Sequence, residues 1–433
     1  MRRSADWPLL ARLGAVVSGQ TAWRATLEVV QGRIEAQLTS SLAGLAIDAP
    51  APLGKSAETA LPLTVQAVVA ADRASDSLRL ELGSLLGATL QRDLSGAAPR
   101  LVRGGLGVNE APPQPEAGLA AAISLPRLHW DEWSAFGRRL LGAETSGGAG
   151  QALLPDRVAL QVQELVVGGR RLDRVVAGLT HDGDLWRVNV DAEQLDGYLE
   201  FRPAGDAGPG RVLARLSRLS VPKSDVEQVE SLLDSRASQV PALDIVVGDF
   251  ELRGRKLGRL EVEAVNRSEV LGSVGGAREW RLSKLNLTLP EARLIAEGTW
   301  ARRRASMDFR LDVADSGLLL ERFGTPGAMR GGKGELHGQV TWTASPLAID
   351  YPSLTGQIGV ALDSGQFLKA DPGAARLLGV LSLQSLPRRL ALDFRDVFQE
   401  GFAFDSITGD VTIERGVAHT NNLRMRGLQA AVL

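Results

Sequence analysis

The side chains of this chain that could do chemistry are its carboxylates, because the 433-residue sequence has no cysteine and only four histidines. Neighbouring carboxylates can bind a cation or act as a general acid and a general base. One group is dense enough to suggest such a site: Asp393, Asp396, Glu400, Asp405 and Asp410. Carboxylates also occur where strands end in solvent, and we predict that role for these residues.

The histidines and two glycine-rich stretches give weaker signals. Gly331–Gly334 lacks the Ser or Thr that follows the lysine of a phosphate-binding loop, and Gly104–Asn109 lacks the third glycine of a dinucleotide-binding fingerprint. None of the histidines has the spacing of zinc ligands: His129, His181, His337 and His419. We therefore expect histidines at the surface or at strand edges, turns at both glycine stretches, and no metal, no cofactor and no catalytic residue.

The balance of charge argues against a nucleic-acid partner. Lys and Arg number 49 against 51 for Asp and Glu, and the two signs are interspersed, so the sequence has no basic patch. Hydrophobic residues make up 44% of the chain, which is enough for a large buried face. No apolar run approaches the roughly 20 residues of a membrane-spanning helix.

The dominant pattern is alternation of apolar and polar residues with a period of two, which predicts strand after strand. Turn residues between the runs suit tight hairpins, so we expect antiparallel pairing of neighbours in sequence. Such turns are predicted at Gly168-Gly169, Asp182–Asp184, Gly331-Gly332, Gly409-Asp410 and Arg415-Gly416. The clearest alternating runs are Val158–Val162, Leu243–Val247, Leu260–Ala264, Leu285–Leu289, Phe309–Val313, Leu336–Trp342, Ile358–Leu362 and Leu390–Phe394.

Helical patterns are few by comparison. Helices are predicted at Pro126–Leu141, Ser224–Arg236, Asp315–Phe323 and Asp371–Leu386. An apolar sheet face must be buried against something, and these four helices are too few to cover so many strands. Three arrangements remain open, namely a self-covered sandwich, a closed barrel, and an open trough that holds an apolar ligand. Trp186, Trp280, Trp300 and Trp342 would pack in a core or border the path of that ligand.

The alternation is interrupted by two stretches rich in Gly, Pro or Ser, 103–116 and 142–150. Each stretch would be either a loop at the edge of a continuous sheet or a linker. We divide the chain into a β-rich repeat segment (1–117), a helical insertion with a Gly-rich connector (118–150), and a β-rich segment continuous with the first (151–433). Leu428–Leu433 stop within an apparent strand, so we expect the chain to be a piece of a longer protein.

The C-terminal third carries a resemblance to a known family. Ser364–Gly373, followed by Leu377–Leu390, resembles the signature near the C-terminal end of the YhdP family, a branch of the AsmA-like superfamily. The resemblance runs from about residue 150 to the end and, more weakly, from Trp23 to Lys55. It continues through Gly401–Asp405, Thr420–Met425, Gly197–Leu199, Trp280–Leu282 and Gly298–Trp300.

The resemblance implies a mainly β fold: an elongated, twisted, antiparallel single-layer sheet, curled into a taco-like hydrophobic trough with a few short amphipathic helices. As in the related TamB-type bridge-like lipid transfer proteins, phospholipid would pass from the inner to the outer membrane of a Gram-negative cell and support outer-membrane lipid homeostasis. The location would be the periplasm, with an inner-membrane anchor in the full-length protein that is not represented here. Acyl chains would be the ligand, and protein partners stay undefined.

On this resemblance, the alternating apolar residues would line the lipid groove. They are Leu260, Val262, Leu285, Leu287, Leu289, Phe309, Leu311, Val313, Leu336, Val340, Trp342, Ile358, Val360, Leu362, Leu390, Leu392 and Phe394. The helix predicted at Asp371–Leu386 would gate the end of the trough or dock on the sheet edge. Its apolar face carries Leu377, Leu378, Val380, Leu381 and Leu383.

Two other functions compete with a lipid conduit. A self-covered sandwich would be a non-enzymatic scaffold for outer-membrane assembly. An enzyme acting on glycan or lipid would use the carboxylates between Asp393 and Asp410. We predict a conduit and not an enzyme, because transport along an apolar face needs no chemical step.

Overall fold

The computed structural model describes residues 14, 16–96, 99–141, 154–204, 210–222, 240–267, 279–301, 303–344, 349–368, 402–427 and 430–432. The chain divides into two compact units, Met1–Asp196 (the N-terminal unit) and Gly197–Leu433 (the C-terminal unit). Most described residues of both units lie in strands, so the predicted mainly β fold class is confirmed. The domain boundaries proposed after residues 117 and 150 stay predictions.

The N-terminal unit contains one long sheet, a separate two-stranded sheet and a helix. The long sheet runs in the order β2-β3-β5-β6-β7-β8-β9-β10-β11-β12, and β1 pairs with β4. The elements are β1 Val17–Gly19, β2 Trp23–Val30, β3 Arg33–Ser40, β4 Leu45–Ile47, β5 Leu63–Val69, β6 Ser75–Leu82, β7 Leu86–Asp93, β8 Arg100–Val108, β9 Gly118–His129, α1 Trp130–Leu141, β10 Arg157–Val167, β11 Arg170–Asp182 and β12 Leu185–Asp191.

The C-terminal unit is a second run of laterally paired strands. From β14 to β22 each strand pairs with the next one in sequence, and β22 also pairs with both β23 and β24. The elements are β13 Leu195–Arg202, β14 Arg211–Val221, β15 Ala242–Leu252, β16 Arg255–Arg267, β17 Glu279–Thr288, β18 Ala292–Ala301, β19 Arg304–Val313, α2 Ser316–Arg322, β20 Met329–Thr343, a 3-10 turn at Tyr351–Ser353, β21 Thr355–Phe367, β22 Phe402–Glu414, β23 Val417–His419, β24 Arg424–Gly427 and β25 Ala430–Val432.

Two of the four predicted helices fall within the described residues, and both are confirmed. Helix α1 begins at Trp130 and not at Pro126, because the residues before it still belong to β9. Helix α2 begins after Asp315, whose carboxylate accepts a hydrogen bond from the Leu318 amide at 2.9 Å and so caps the first turn. The helices predicted at Ser224–Arg236 and Asp371–Leu386 lie outside the described residues.

The expectation of purely antiparallel pairing is wrong at three places. The pairs β8–β9, β9–β10 and β14–β15 are parallel. Parallel neighbours cannot be joined by a two-residue hairpin and need a crossover connection. Residues 109–117 make the first of these connections, and α1 lies between β9 and β10.

The first crossover lies directly on β8, which explains the glycines there. A Cβ atom on Gly105 would stand 1.8 Å from the carbonyl oxygen of Pro113, and one on Gly107 would stand 2.1 Å from that of Glu110. Any side chain at either position would push the connection off the strand. Gly104–Asn109 was predicted to be a turn, but residues through Val108 belong to a strand.

The glycines at 331–334 also lie inside a strand, β20, and the hairpin turn predicted there is wrong. Gly331 and Gly332 have φ of 62° and 82°, a backbone conformation that favours glycine. A Cβ on Gly332 would be 3.2 Å from the hydroxyl of Ser316 in α2, so the irregularity makes room for the helix. The turn predicted at Gly409-Asp410 is likewise inside β22. The turns at Gly168-Gly169, Asp182–Asp184 and Arg415-Gly416 are confirmed.

Gly338 of β20 is expected to resist even the smallest substitution. An added Cβ would lie 2.2 Å from the carbonyl oxygen of Gln357 in β21, so Gly338→Ala must push two paired strands apart. We expect a loss of about 2 kcal/mol, typical of overpacking, measured as faster hydrogen exchange of the β20 and β21 amides. The control is Gly178→Ala in β11, where a Cβ meets nothing within 4 Å. Equal exchange in both variants would contradict this account.

Candidate functional site

The backbone register places the predicted groove residues on one face of the C-terminal unit. Leu260 lies opposite Leu287, and Leu311 lies opposite Leu336, which in turn lies opposite Val360. Side chains on paired residues point to the same side of a sheet. This apolar face carries every groove residue predicted between positions 260 and 362, with Leu289 just past the end of β17: Leu260, Val262, Leu285, Leu287, Leu289, Phe309, Leu311, Val313, Leu336, Val340, Trp342, Ile358, Val360 and Leu362.

The apolar face is wider than the sequence analysis proposed for it. Strand β18 contributes Leu294 and Ala296, which lie opposite Leu287 and Leu285. The alternation is obscured in β18 because two apolar residues, Leu294 and Ile295, are adjacent. Ile295 points to the other face and is exposed. Strand β22 adds three more residues opposite β21, and their own alternation was a signal that could have found them: Ile407, Val411 and Ile413.

Burial along this face changes from the middle of the strands to their ends. In the middle, Leu311, Leu336 and Val360 are half-buried. At the ends, by contrast, Leu289 and Val313 are each only 6% exposed and Trp342 only 2%. Protein therefore packs over the ends of the strands, while a central strip of apolar side chains keeps part of its surface accessible.

One end of the strands is closed by a tryptophan cluster. Trp280 and Trp300 lie opposite each other on β17 and β18. Ala305 of β19 lies opposite Trp300 on one side and opposite Trp342 of β20 on the other, and all four residues pack in one cluster. The indole N–H of Trp280 donates to the carbonyl oxygen of Pro241 at 3.3 Å, which ties this end to the residue before β15. These three tryptophans are core residues, one of the two roles left open for them.

The other end is closed by α2 and a buried ion pair. Glu291, in the turn between β17 and β18, is 3% exposed. Its carboxylate receives two hydrogen bonds from Arg322 at the end of α2, one of them from Nη2 at 3.0 Å. Arg322 also donates to the carbonyl oxygen of Lys256 at 2.8 Å, so one guanidinium joins the helix to the β17–β18 turn and to the start of β16. The hydrogen bond to Glu291 raises the pKa of Arg322, which keeps it charged.

The opposite face of the same strands is polar and carries ion pairs between neighbouring strands. Lys284 lies 2.8 Å from a Glu261 carboxylate oxygen, and Arg310 lies 2.6 Å from one of Glu335. Hydrogen bonds from Lys284, and then from Arg259, lower the pKa of Glu261 from 4.5 to about 2. One face of the sheet is thus suited to water and the other to hydrocarbon.

We expect the Glu261 pair to act as an acid-sensitive contact. Because the pKa is lower in the folded chain than in the unfolded chain, any stabilisation is fully present above about pH 4.5 and is lost as the pH falls towards about 2. Lys284→Gln should move the carboxylate titration back towards 4.5, measured by NMR of the Glu261 side chain. An unchanged titration in that variant would contradict the assignment of Lys284 as the main cause.

The N-terminal unit repeats the same division of faces. Leu38, Val65 and Leu80 lie in one row across β3, β5 and β6. The edge strand β2 leaves Leu27 71% exposed. Farther along the unit, β9 and β10 pack Leu125 and Val162 against Trp133 of α1.

The other predicted residues do not gather into a site. Leu390, Leu392 and Phe394 of the groove lie outside the described residues, as do the helix residues Leu377, Leu378, Val380, Leu381 and Leu383. Of the carboxylates, Asp405 is exposed in β22 and Asp410 bonds with Asn422, and the other three are not described. His129 and His337 lie near glutamates, and His181 packs on Trp186 with ring centres 4.4 Å apart.

Across the described part of the chain, no group of three or more His, Asp or Glu side chains is placed to hold a metal ion. The helices found there are too short and too polar for any of them to cross a bilayer.

Comparison with known proteins gives one family and one curated relative. The family described as YhdP protein matches residues 2–433. The Intermembrane phospholipid transporter YhdP of Escherichia coli (strain K12) is 26% identical over 447 residues, an alignment that covers 96% of this chain and 33% of the relative. The chain therefore spans about a third of the length of that relative. No solved structure matches the chain.

Proposed function

Because this chain belongs to the YhdP protein family, we propose that it carries phospholipid along its apolar face as one part of a longer intermembrane transporter. The observation that supports this most directly is the half-buried central strip formed by residues such as Leu311, Leu336 and Val360. A sheet that covered itself would bury this strip as completely as the strand ends. Acyl chains are the ligand that matches a long apolar surface without polar anchors.

The physical requirement for such transport is a low and even barrier. Each methylene that leaves water for an apolar surface gains about 0.8 kcal/mol, so a face built largely from Leu, Ile, Val and Phe holds a lipid without one dominant site. Neighbouring rows repeat nearly the same chemistry, so a chain that slides from one row to the next loses and regains similar contacts. No residue of the face needs to react.

The proposal extends to location and direction. The E. coli relative is named an intermembrane transporter, and we propose that this chain works in the periplasm between an anchored inner-membrane end and the outer membrane. Phospholipid moves outward in this proposal. No cofactor and no nucleic acid takes part.

Site-specific photo-crosslinking tests the lipid path. A photoreactive residue at Leu311 or at Val360 should capture phospholipid, because both side chains lie on the apolar face. Matched positions on the polar face, Gln339 and Gln357, are exposed and should capture none. Mass spectrometry of the crosslinked chain reads the result. Capture at the glutamine positions alone, or at none of the four, would overturn the proposal.

A further inference from the structure

The apolar face of the N-terminal unit continues without a break from β6 to β10. Leu80 lies opposite Ala88, which lies opposite Leu106. Leu106 lies opposite Ala121, and Ala121 lies opposite Val158. Paired residues point to the same side of a sheet, so β9 and β10 carry the same apolar face as the strands before them.

The exposure of this face falls sharply at β9. On the earlier strands its residues are half-buried, as Leu80 is. In the middle of β9, β10 and β11, by contrast, Leu125 is 6% exposed, and Val162 and Val175 are each 1% exposed. These three residues lie opposite one another, and Leu125 shares the side of Ala121, four residues before it. Protein therefore covers the middle of these strands, and not only their ends as in the C-terminal unit.

Helix α1 supplies part of this cover. Trp133 packs on the cluster formed by Leu125, Leu128 and Val162. The ring of Phe136 meets the Trp133 ring edge-on, with ring centres 5.7 Å apart, and Phe136 is only 7% exposed. Aromatic side chains of α1 thus occupy, on β9 and β10, the position that acyl chains would take on the uncovered strands.

The first turn of α1 is anchored to the sheet. The helix begins directly after β9, and the carboxylate of Asp131 accepts hydrogen bonds from the amides of Gly168 at 2.9 Å and Gly169 at 3.0 Å. These two glycines form the turn between β10 and β11. Their hydrogen bonds, that of Gly169 first, lower the pKa of Asp131, which keeps the carboxylate charged. The start of the helix is therefore a fixed point about which the rest can turn.

The rest of α1 is held by weaker contacts with the segment that follows β4. The indole N–H of Trp133 donates to the carbonyl oxygen of Ala51 at 3.1 Å. Arg139, in the last turn, lies 3.2 Å from Asp48, and the two side chains are 53% and 78% exposed. Water screens an exposed ion pair, so it stabilises little. The C-terminal end of α1 can thus leave the sheet while its start stays attached.

We propose that α1 is a lid over the lipid path of the N-terminal unit, hinged at Asp131 and latched by Arg139 on Asp48. The inference rests on the proposed function and adds a point of control: an acyl chain that reaches β9 displaces Trp133 from the sheet. One apolar cover then replaces another, so the side chains beneath stay out of water and the cost of opening is largely offset. Without lipid the lid stays closed.

A tethered lid tests this proposal. The chain has no cysteine, so Asp48→Cys and Arg139→Cys can be joined by a short bis-maleimide whose linker contains a disulfide. Transfer of a fluorescent phospholipid between vesicles of phosphatidylethanolamine and phosphatidylglycerol should fall about tenfold, because the open state is withdrawn, and should recover when the linker is reduced. The matched control joins Gln161→Cys to Val176→Cys, an exposed pair on the polar face of β10 and β11, and should leave transfer unchanged.

A weakened latch should have the opposite effect. Arg139→Gln raises the open fraction of the lid and should speed transfer about threefold, the population change expected when one exposed ion pair is lost. Arg138→Gln removes the same charge from the neighbouring residue of α1 and should transfer as the parent chain does. Equal rates in these two variants would overturn the latch, and equal rates with the lid tied and untied would overturn the lid.

Hydrogen exchange gives a readout that does not depend on transfer. Dihexanoyl phosphatidylglycerol, kept below its micelle concentration, should speed exchange of the amides in the second half of α1 and leave those of Gly168 and Gly169 slow. Equal exchange of α1 with and without this phospholipid would overturn the lid even in a chain that carries lipid. Lipid capture at Leu311 and Val360, in the other unit, decides the transport proposal separately.

Discussion

Phospholipid transfer is expected to fall at least tenfold when Ile358 is replaced by Asp. Ile358 is half-buried on the apolar face, opposite Gly338 and Val411. A carboxylate there would have to lose its water each time an acyl chain passed, which costs several kcal/mol. The fold should survive, because the half-buried position leaves the new charge a route to solvent when no lipid is present. Transfer of a fluorescent phospholipid between donor and acceptor vesicles measures the effect.

The neighbouring residue supplies a matched control for this prediction. Gln357 lies one position away on the polar face and is exposed, so Gln357→Asp adds the same charge to the same strand without meeting hydrocarbon. Circular dichroism of both variants checks that the sheet is retained. Equal transfer by Ile358→Asp and Gln357→Asp would mean that lipid does not travel along this face.

Local stability is expected to fall by about 3 kcal/mol when Arg322 is replaced by Ala. The substitution leaves the carboxylate of Glu291, 3% exposed, buried without its partner, and removing one member of a buried ion pair has a cost of that size. The main chain of Glu291 also accepts hydrogen bonds from the amides of Ala314 and Asp315, so the loss should spread into the start of α2. Hydrogen exchange of those two amides measures the change.

Two variants define the limits of this second prediction. Arg310→Ala removes an exposed ion pair on the polar face and should change exchange rates little, because exposed pairs are screened by water. Combining Arg322→Ala with Glu291→Gln removes the unpaired charge and should restore part of the protection. Slow exchange at Ala314 and Asp315 in the Arg322→Ala variant would show that the ion pair does not hold α2 in place.

The closed strand ends and the accessible middle belong to one physical arrangement. The tryptophan cluster and the Glu291–Arg322 pair hold the two ends of β17 and β18. A lipid that occupied the central strip would be confined sideways by these closures. It would remain free to move across the strands, from one apolar row to the next.

The sequence by itself determined the two faces of the sheet. Alternation is a local property of each strand, so Leu260, Leu311 and Val360 could be assigned to an apolar face before any pairing was known. Tight turns such as Gly168-Gly169 were also local and were predicted correctly. Where two apolar residues are adjacent, as at Leu294-Ile295, the local signal failed and only pairing with β17 revealed which one faces the apolar side.

Tertiary structure decided everything that depends on which segments meet. The glycines of β8 and β20 look like turns in sequence, but they lie in strands because a crossover or a helix packs on them. Several contacts join residues from different elements: the parallel pairing at β9 and β15, the ion pair of Glu291 with Arg322, and the ion pair of Asp76 with Arg92. The period of apolar residues along the chain contains no information about these contacts. Alternation sets which side of a strand is apolar, whereas contacts between distant segments set what covers it.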